Sequence, residues 1–252
     1  MKSKLELYKE SLDIVRHESG ARWYAPQGFG PASNWKPSVT TIIGATIHKG
    51  LGFDKWLGNH PSYKIACEER DEAAIRVTTV HELAEKFING EIVESDNEEI
   101  CKHLMSFEKF WLDNEVQLIA TELFMWHEDV PWAGTCDIIA KIGGKYCIID
   151  IKTGNYYKSH EIQLNMYADL YNHIARECNI PEGTKIYGLY TKGKWIREPN
   201  YQFKKFKFNL EVALSVHEVW KFLMGGNPYP KAKLKIKTKF QIGGNENDYK
   251  VL

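Results

Sequence analysis

The stretch "GTCDIIAKIGGKYCIIDIKTG" (134–154) decides how this chain is read. Two apolar runs flank Gly143-Gly144, and a Gly-Gly pair between strand-like segments is a two-residue hairpin turn. Taking that pair as the loop fixes the register. Ile142 faces Lys145, Lys141 faces Tyr146, and the same pairing carried outward sets Asp137 opposite Asp150. Their Cβ atoms are then expected about 4.5–5.5 Å apart on one face. Like charges so placed repel unless something positive lies between them. Two hard oxygen ligands at that spacing suit Mg2+ or Mn2+. Lys152, two residues past Asp150, returns to the same face by the strand's period of two. An ammonium there can orient a water and stabilise negative charge developing on a phosphate. The arrangement is one for cleaving a phosphodiester.

D-x-K alone is weak, arising by chance roughly once in a few hundred residues at average composition. A solvated hairpin face bearing Asp, Lys and Tyr is also common. Three further features add weight. In "TTVHELAEKFING", Thr79 and Glu82 have capping-box spacing, which would place His81 in the first turn of a helix ending at Asn89-Gly90. The positive end of the helix dipole would then keep its imidazole neutral and able to bind a metal. Gln163 and Tyr167 lie four apart on one face of the helix after the hairpin, within reach of a phosphate or of Lys152. Glu122 interrupts the apolar run "QLIATELFMW", where a buried acid needs a partner.

Working outward, residues 63–75 read as a charged helix, and another helix is expected near 97–114. "QLIATELFMW", "GTCDIIAKI" and "KYCIIDIKT" read as strands, "SHEIQLNMYADLYNHIAREC" as an amphipathic helix and "TKIYGLYT" as a further strand. The order is α-β-β-β-α-β. Residues 209–224 suggest a last helix, and "KAKLKIKTKF" alternates like a strand. Residues 1–60 mix a short amphipathic helix with the aperiodic "RWYAPQGFGPASNWKPSVTTIIG". With no repeat or low-complexity linker, one α/β domain is expected. It divides into a mostly helical N-terminal arm (1–75), a core (76–195) and a basic helix-and-strand extension (196–252).

Composition bounds the function. The 252 residues are 43% hydrophobic, enough for a sizeable core, and carry no net formal charge. The charge is uneven: residues 1–191 hold 20 basic and 28 acidic side chains, and residues 192–252 hold 13 basic and 5 acidic. A basic end suggests a polyanionic partner, although a solvated lysine-rich edge strand has the same composition. Five scattered cysteines without C-x-x-C imply reduced thiols in a cytosol-like compartment and argue against a zinc or iron–sulfur frame. The charged N-terminus lacks an apolar signal core, and no window approaches a membrane span, so a soluble intracellular protein is expected.

Together the pieces "PSVTTII" (37–43), "VTTVHELAEKFING" (77–90), "ATEL" (120–123), "GTCD" (134–137), "IIDIKTG" (148–154) and "QLNMY" (163–167) resemble the PD-(D/E)XK nuclease superfamily. The likeness is to its RecB-like exonuclease branch, with phage-type nucleases and the mitochondrial genome-maintenance exonuclease group. It implies a restriction-endonuclease-like fold with a central mixed sheet flanked by helices. It also implies a divalent metal held by His81, Asp137, Asp150 and the backbone carbonyl of Ile151. Lys152 would activate or position water, Gln163 and Tyr167 would complete a distal motif holding the substrate backbone, and Glu122 matches a frequent acid of the first core strand. Where relatives usually have Arg-Gly-Thr before the motif histidine, this chain has Arg76-Val77-Thr78. With no cysteine after Cys178, the iron–sulfur cluster of some relatives is not expected.

The expected activity is metal-dependent hydrolysis of DNA, from single-stranded ends. Lys204, Lys205, Lys207 and the lysines of 231–239 would track the backbone. Aromatic residues, among them Trp35 and Tyr156, would stack on unpaired bases. Three alternatives stand beside it: a structure-specific endonuclease of the same fold, a non-catalytic nucleic-acid-binding module, and a hydrolase of small phosphate esters. No membrane partner is expected, and no protein partner is identified.

Overall fold

The Gly143-Gly144 turn holds the register read from it. Both glycines have positive φ, 55° and 73°, the left-handed backbone that a two-residue hairpin turn requires. Ile142↔Lys145 through Ile138↔Ile149 pair across it. The computed structural model describes residues 12–16, 21–26, 35–178, 184–225 and 235–237.

Among these residues the order begins β1 (Leu12–Arg16), β2 (Arg22–Pro26), β3 (Lys36–Pro37), α1 (Val39–Thr46), α2 (Leu51–Gly58), α3 (Tyr63–Ile88) and α4 (Glu98–Asp113). It continues β4 (Gln117–Met125), β5 (Gly134–Ile142), β6 (Lys145–Lys152), α5 (Lys158–Glu177), β7 (Lys185–Thr191), β8 (Tyr201–Phe206), α6 (Leu210–Leu223) and β9 (Lys235–Lys237). From α4 to β7 this is the expected α-β-β-β-α-β run. The central sheet has the order β4-β5-β6-β7-β8. It is mixed: β6 and β7 run parallel, and the other neighbours are antiparallel. The parallel pair needs a crossover, and α5 provides it.

Helices cover both faces. On one side Phe107 and Phe110 of α4 and Ala84 of α3 pack on Ile138, Ile149 and Leu189. On the other, Leu164, Tyr171 and Ile174 of α5 and Trp220 of α6 pack on Ile139, Ile148 and Tyr190. Each large apolar side chain so buried contributes about 1.5–3 kcal/mol. Helix α4 starts where Asn97 Oδ1 accepts the Ile100 N–H at 3.1 Å, with Glu98 and Glu99 against the positive end of the dipole.

Several sequence expectations change. Residues 63–75 and 79–90 are not two helices. Helix α3 is continuous, capped by Ser62, whose Oγ accepts the Ile65 N–H. The Thr78 and Thr79 hydroxyls donate to the carbonyls of Ala74 and Ile75, both at 3.0 Å, so the capping box does not form. With no Gly or Pro between, nothing interrupts the backbone ladder. The stretch read as aperiodic forms β2, β3 and α1, in a second sheet ordered β3-β2-β1-β9. Trp23 and Trp35 join the same buried cluster as α5 and α6, so the arm helps build the core. Residues 1–11, the start of the expected short helix, and the lysines 231, 233 and 239 lie outside the described residues. Strand β8 was not foreseen; its Tyr201 and Phe203 pack on Phe110. Among the described residues no helix is long and apolar enough to cross a membrane.

One glycine couples the hairpin to α5. A Cβ at Gly134 would lie 2.6 Å from Cε1 of the Tyr167 ring. Gly134→Ala is expected to destabilise the protein by about 1–3 kcal/mol through overpacking. Urea denaturation checks this, and an unchanged midpoint would show that the ring yields freely.

Candidate active site

The site lies where the central sheet parts. Strand β5 stays paired with β4 out to Gly134↔Met125, and β6 stays paired with β7 out to Lys152↔Tyr190. Between β5 and β6, however, the ladder stops at Ile138↔Ile149. The opposed Asp137–Asp150 pair expected from the turn therefore falls one step beyond the last ladder pair. Asp137 Oδ2 instead accepts the Ile151 N–H at 2.6 Å. A side chain fills the role of the missing strand carbonyl.

Asp137 Oδ2 also lies 3.5 Å from His81 Nδ1. Burial would lower the His81 pKa, but the Asp137 carboxylate, with Asp150 behind it, raises it to about 9. Burial would likewise raise Asp137, and the His81 charge and hydrogen bond hold it below the usual value. This corrects the expected neutral His81. It sits deep within α3, not in a first turn, so its charge is set by the neighbouring acid.

Glu122 completes this group: one ligand atom each from His81, Glu122 and Asp137 lie within 4.8 Å of one another. Thr121↔Ile138 and Leu123↔Cys136 frame Glu122 opposite Asp137. Glu122 also has φ +45°, a left-handed backbone inside a strand. Such a conformation costs a non-glycine residue about 1–3 kcal/mol and concentrates at functional positions.

Asp150, 2% exposed, is engaged differently. Its Oδ2 contacts the Lys152 ammonium, and its Oδ1 accepts from Gln163 Nε2 at 3.1 Å. Gln163 Oε1 accepts from Lys152 Nζ at 3.0 Å, and its Nε2 also donates to the Tyr167 hydroxyl at 3.2 Å. Burial pushes the Asp150 pKa up to about 6; Lys152 opposes that and Asp137 adds to it. Helical spacing on α5 thus brings Gln163 and Tyr167 to Asp150 and Lys152. Ile151, between them, has its N–H fixed by Asp137.

A cleft of about 420 Å3 opens beside Lys152 and His81. Sequence reasoning missed several of its walls: Arg76, Glu99 and His103 from the helices, and Asn155, Tyr157 and His160 after β6. Burial, reinforced by Lys152, lowers His160 to about 4, so its ring is neutral. No spacing pattern marks these residues, because they come from separate elements. Of the residues expected on DNA, Lys205 and Lys207 are exposed. Lys204 lies 3.3 Å over the Tyr156 ring and, one residue from Lys205, projects to the opposite strand face. Trp35 is 7% exposed and packed in the core, so it cannot stack on a base; Trp23 and Tyr24 are buried too.

The donors suit a divalent cation. His81 Nε2 is buried without a hydrogen-bond partner, and two carboxylates with one imidazole are ligands for hard to borderline metals such as Mg2+ and Mn2+.

A mixed sheet between helices, with clustered acids and a lysine at its fork, is a nuclease architecture. The chain belongs to the PD-(D/E)XK nuclease superfamily, whose family model matches residues 17–219. Nucleases of this family use divalent metals. Among solved structures it is similar to the alkaline exonuclease LHK-Exo of Laribacter hongkongensis, at 7% identity and TM-score 0.40, over 76% of this chain and 87% of that one. It is also similar to a candidate exonuclease of Eubacterium rectale, at 12% identity and TM-score 0.38, over 61% of this chain and 65% of that one. No curated protein sequence matches the chain.

His81 ties metal binding to pH. With its pKa raised to about 9 the imidazole is protonated at pH 7.5, and a cation held through it must displace that proton. Mn2+ calorimetry in buffers of different ionisation heat is expected to show release of about one proton per ion, with affinity rising toward pH 9. His81→Gln should abolish the release. Equal release by both proteins would exclude His81 as the source.

Proposed function

We propose that this chain hydrolyses DNA phosphodiester bonds with Mg2+ or Mn2+, working from ends and on single strands. One observation carries the reading: the His81/Glu122/Asp137 cluster and the Lys152 ammonium stand side by side at the fork of the sheet. When bound, the cation polarises the scissile phosphate and lowers the pKa of water. Glu122 and Asp137 supply the anionic ligands, His81 a neutral imidazole once its proton leaves, and the Ile151 carbonyl a further oxygen. Asp150, held by Gln163, keeps the Lys152 ammonium beside the scissile group. There it orients the attacking water and balances charge on the phosphate. A water oxygen bonds to phosphorus as the bond to the 3′ oxygen breaks. The departing oxygen takes a proton, leaving a 3′ hydroxyl and a 5′ phosphate.

The preference for single strands rests on the dimensions of the cleft. At about 420 Å3 it falls in the range of pockets for small ligands, about 300–1,000 Å3, and takes a nucleotide or two of one strand. Tyr157, 49% exposed at its rim, is placed to stack on a base. Exposed Lys205 and Lys207 offer backbone contacts.

End-labelled linear and circular single strands, incubated with Mn2+, test the proposal. The linear strand should be digested and the circle spared, with Lys152→Ala slower by about 10²–10³-fold. Cut circles would mean an endonuclease. Binding without cleavage would mean a non-catalytic module. Digestion by Lys152→Ala at the parent rate would remove that residue from the chemistry.

A further inference from the structure

A second group of metal-type side chains lies where β4 leads into β5, among residues that do not line the cleft. His127, Asp129 and His173 each offer one ligand atom, and these lie within 4.8 Å of one another. His127 and Asp129 belong to the connection after β4, and His173 belongs to α5. The two imidazole rings are 4.7 Å apart, centre to centre. Asp169, His173 and Glu177 follow at four-residue intervals and form one stripe along α5. Glu177 Oε1 lies 3.0 Å from His127 Nε2, and Asp169 Oδ1 lies 3.7 Å from His173 Nε2. Each ring thus has a carboxylate beside it.

We propose that His127, Asp129 and His173 form a second metal site, for a zinc-type cation, that pins the β4–β5 connection to α5. Two imidazoles with a carboxylate favour Zn2+ or Co2+ over Mg2+. The tautomer is already suitable. His127 Nδ1 accepts the Asp129 N–H at 3.2 Å, so Nδ1 is unprotonated and the proton resides on Nε2, facing Glu177; an ion takes the Nδ1 lone pair in exchange for that hydrogen bond. A carboxylate behind the second nitrogen is the outer support that metal-bound histidines usually have. Ligands around a tetrahedral ion with bonds of about 2.0–2.1 Å sit about 3.4 Å apart, so side-chain rotations of about 1 Å close the group. Asp129 and Glu177 are exposed, at 69% and 58%, which leaves a path for the ion. The Lys36 ammonium donates to the carbonyls of His127 and Glu128, holding the loop backbone from below.

The consequence is mechanical. Val130 and Trp132 follow directly and are buried, and Trp132 Nε1 donates to the Met166 carbonyl of α5 at 3.0 Å. An ion at His127 and His173 adds a further tie, beside the His127–Glu177 and Trp132–Met166 contacts, between this loop and the helix that carries Gln163 and Tyr167.

Cobalt titration of the full chain carrying His81→Ala tests the site apart from the cleft. One Co2+ is expected to bind with the intense visible bands of tetrahedral coordination. Zn2+ should displace it, excess Mg2+ should not, and Zn2+ should raise the melting temperature. His173→Gln or Asp129→Asn in the same background should weaken binding at least tenfold and abolish the thermal shift, with circular dichroism unchanged. Because His127 is buried, the more accessible His173 and Asp129 are the variants used. Absence of Co2+ binding to the His81→Ala chain would overturn the proposal. So would undiminished binding after His173→Gln, or a near-ultraviolet thiolate band assigning the ion to cysteine.

Discussion

The hydrogen bond from the Ile151 N–H to the Asp137 carboxylate is the contact on which the site depends. Past Ile138 and Ile149 the two central strands separate, each staying with its outer neighbour. Without Asp137 the Ile151 N–H would stand unpaired at the fork, and an unmet buried donor costs about 1–3 kcal/mol. By filling that gap Asp137 is itself held rigidly, its second role being to face His81 and Glu122. One bond therefore closes the sheet and fixes an acid. That acid cannot wander, because the backbone needs it.

Charge organises the rest. Asp137 faces an imidazolium, and Asp150 faces an ammonium. In a low-dielectric setting such pairs hold one another, and removing one member strands the other. The two pairs differ in use. Asp150, tied to Lys152 and Gln163, works as a holder of the lysine. His81 and Asp137 instead share their group with Glu122, the three ligand atoms lying within 4.8 Å of one another. Glu122 reaches this group only through a left-handed backbone at its own position. The strain at Glu122 is the cost of setting two acids across adjacent strands.

Helix α5 joins these parts. It brings Gln163 to Asp150 and Lys152 and sets Tyr167 beside Gln163, and Gly134 leaves room for the Tyr167 ring. The same helix presents His173 toward the loop after β4. The fork, the lysine and the loop thus share one rigid support, built from a 20-residue helix packed in the main core.

Much of this was legible in the residues themselves, because its causes are local. Gly143-Gly144 sets a turn and hence a register; the run near 97–114 reads as a helix; four-residue spacing places Gln163 beside Tyr167. Each depends on neighbours in the chain. Other readings failed where local cues were ambiguous. Thr79 looked like a cap, but a threonine inside a helix can bond to the carbonyl four residues back, and it does. Trp35 looked like a stacking ring, yet whether an aromatic faces solvent or core depends on what folds over it. The short β8, with polar residues between its aromatics, takes its place from pairing with β7. Sequence alone settled the hairpin turn, the α-β-β-β-α-β order of the core and the acid–lysine motif. Only the tertiary structure decided that His81 is charged, that Glu122 joins Asp137, and that Asp150 holds Lys152. Those facts depend on distances between residues far apart in the chain, and through-space charge and burial obey distance alone.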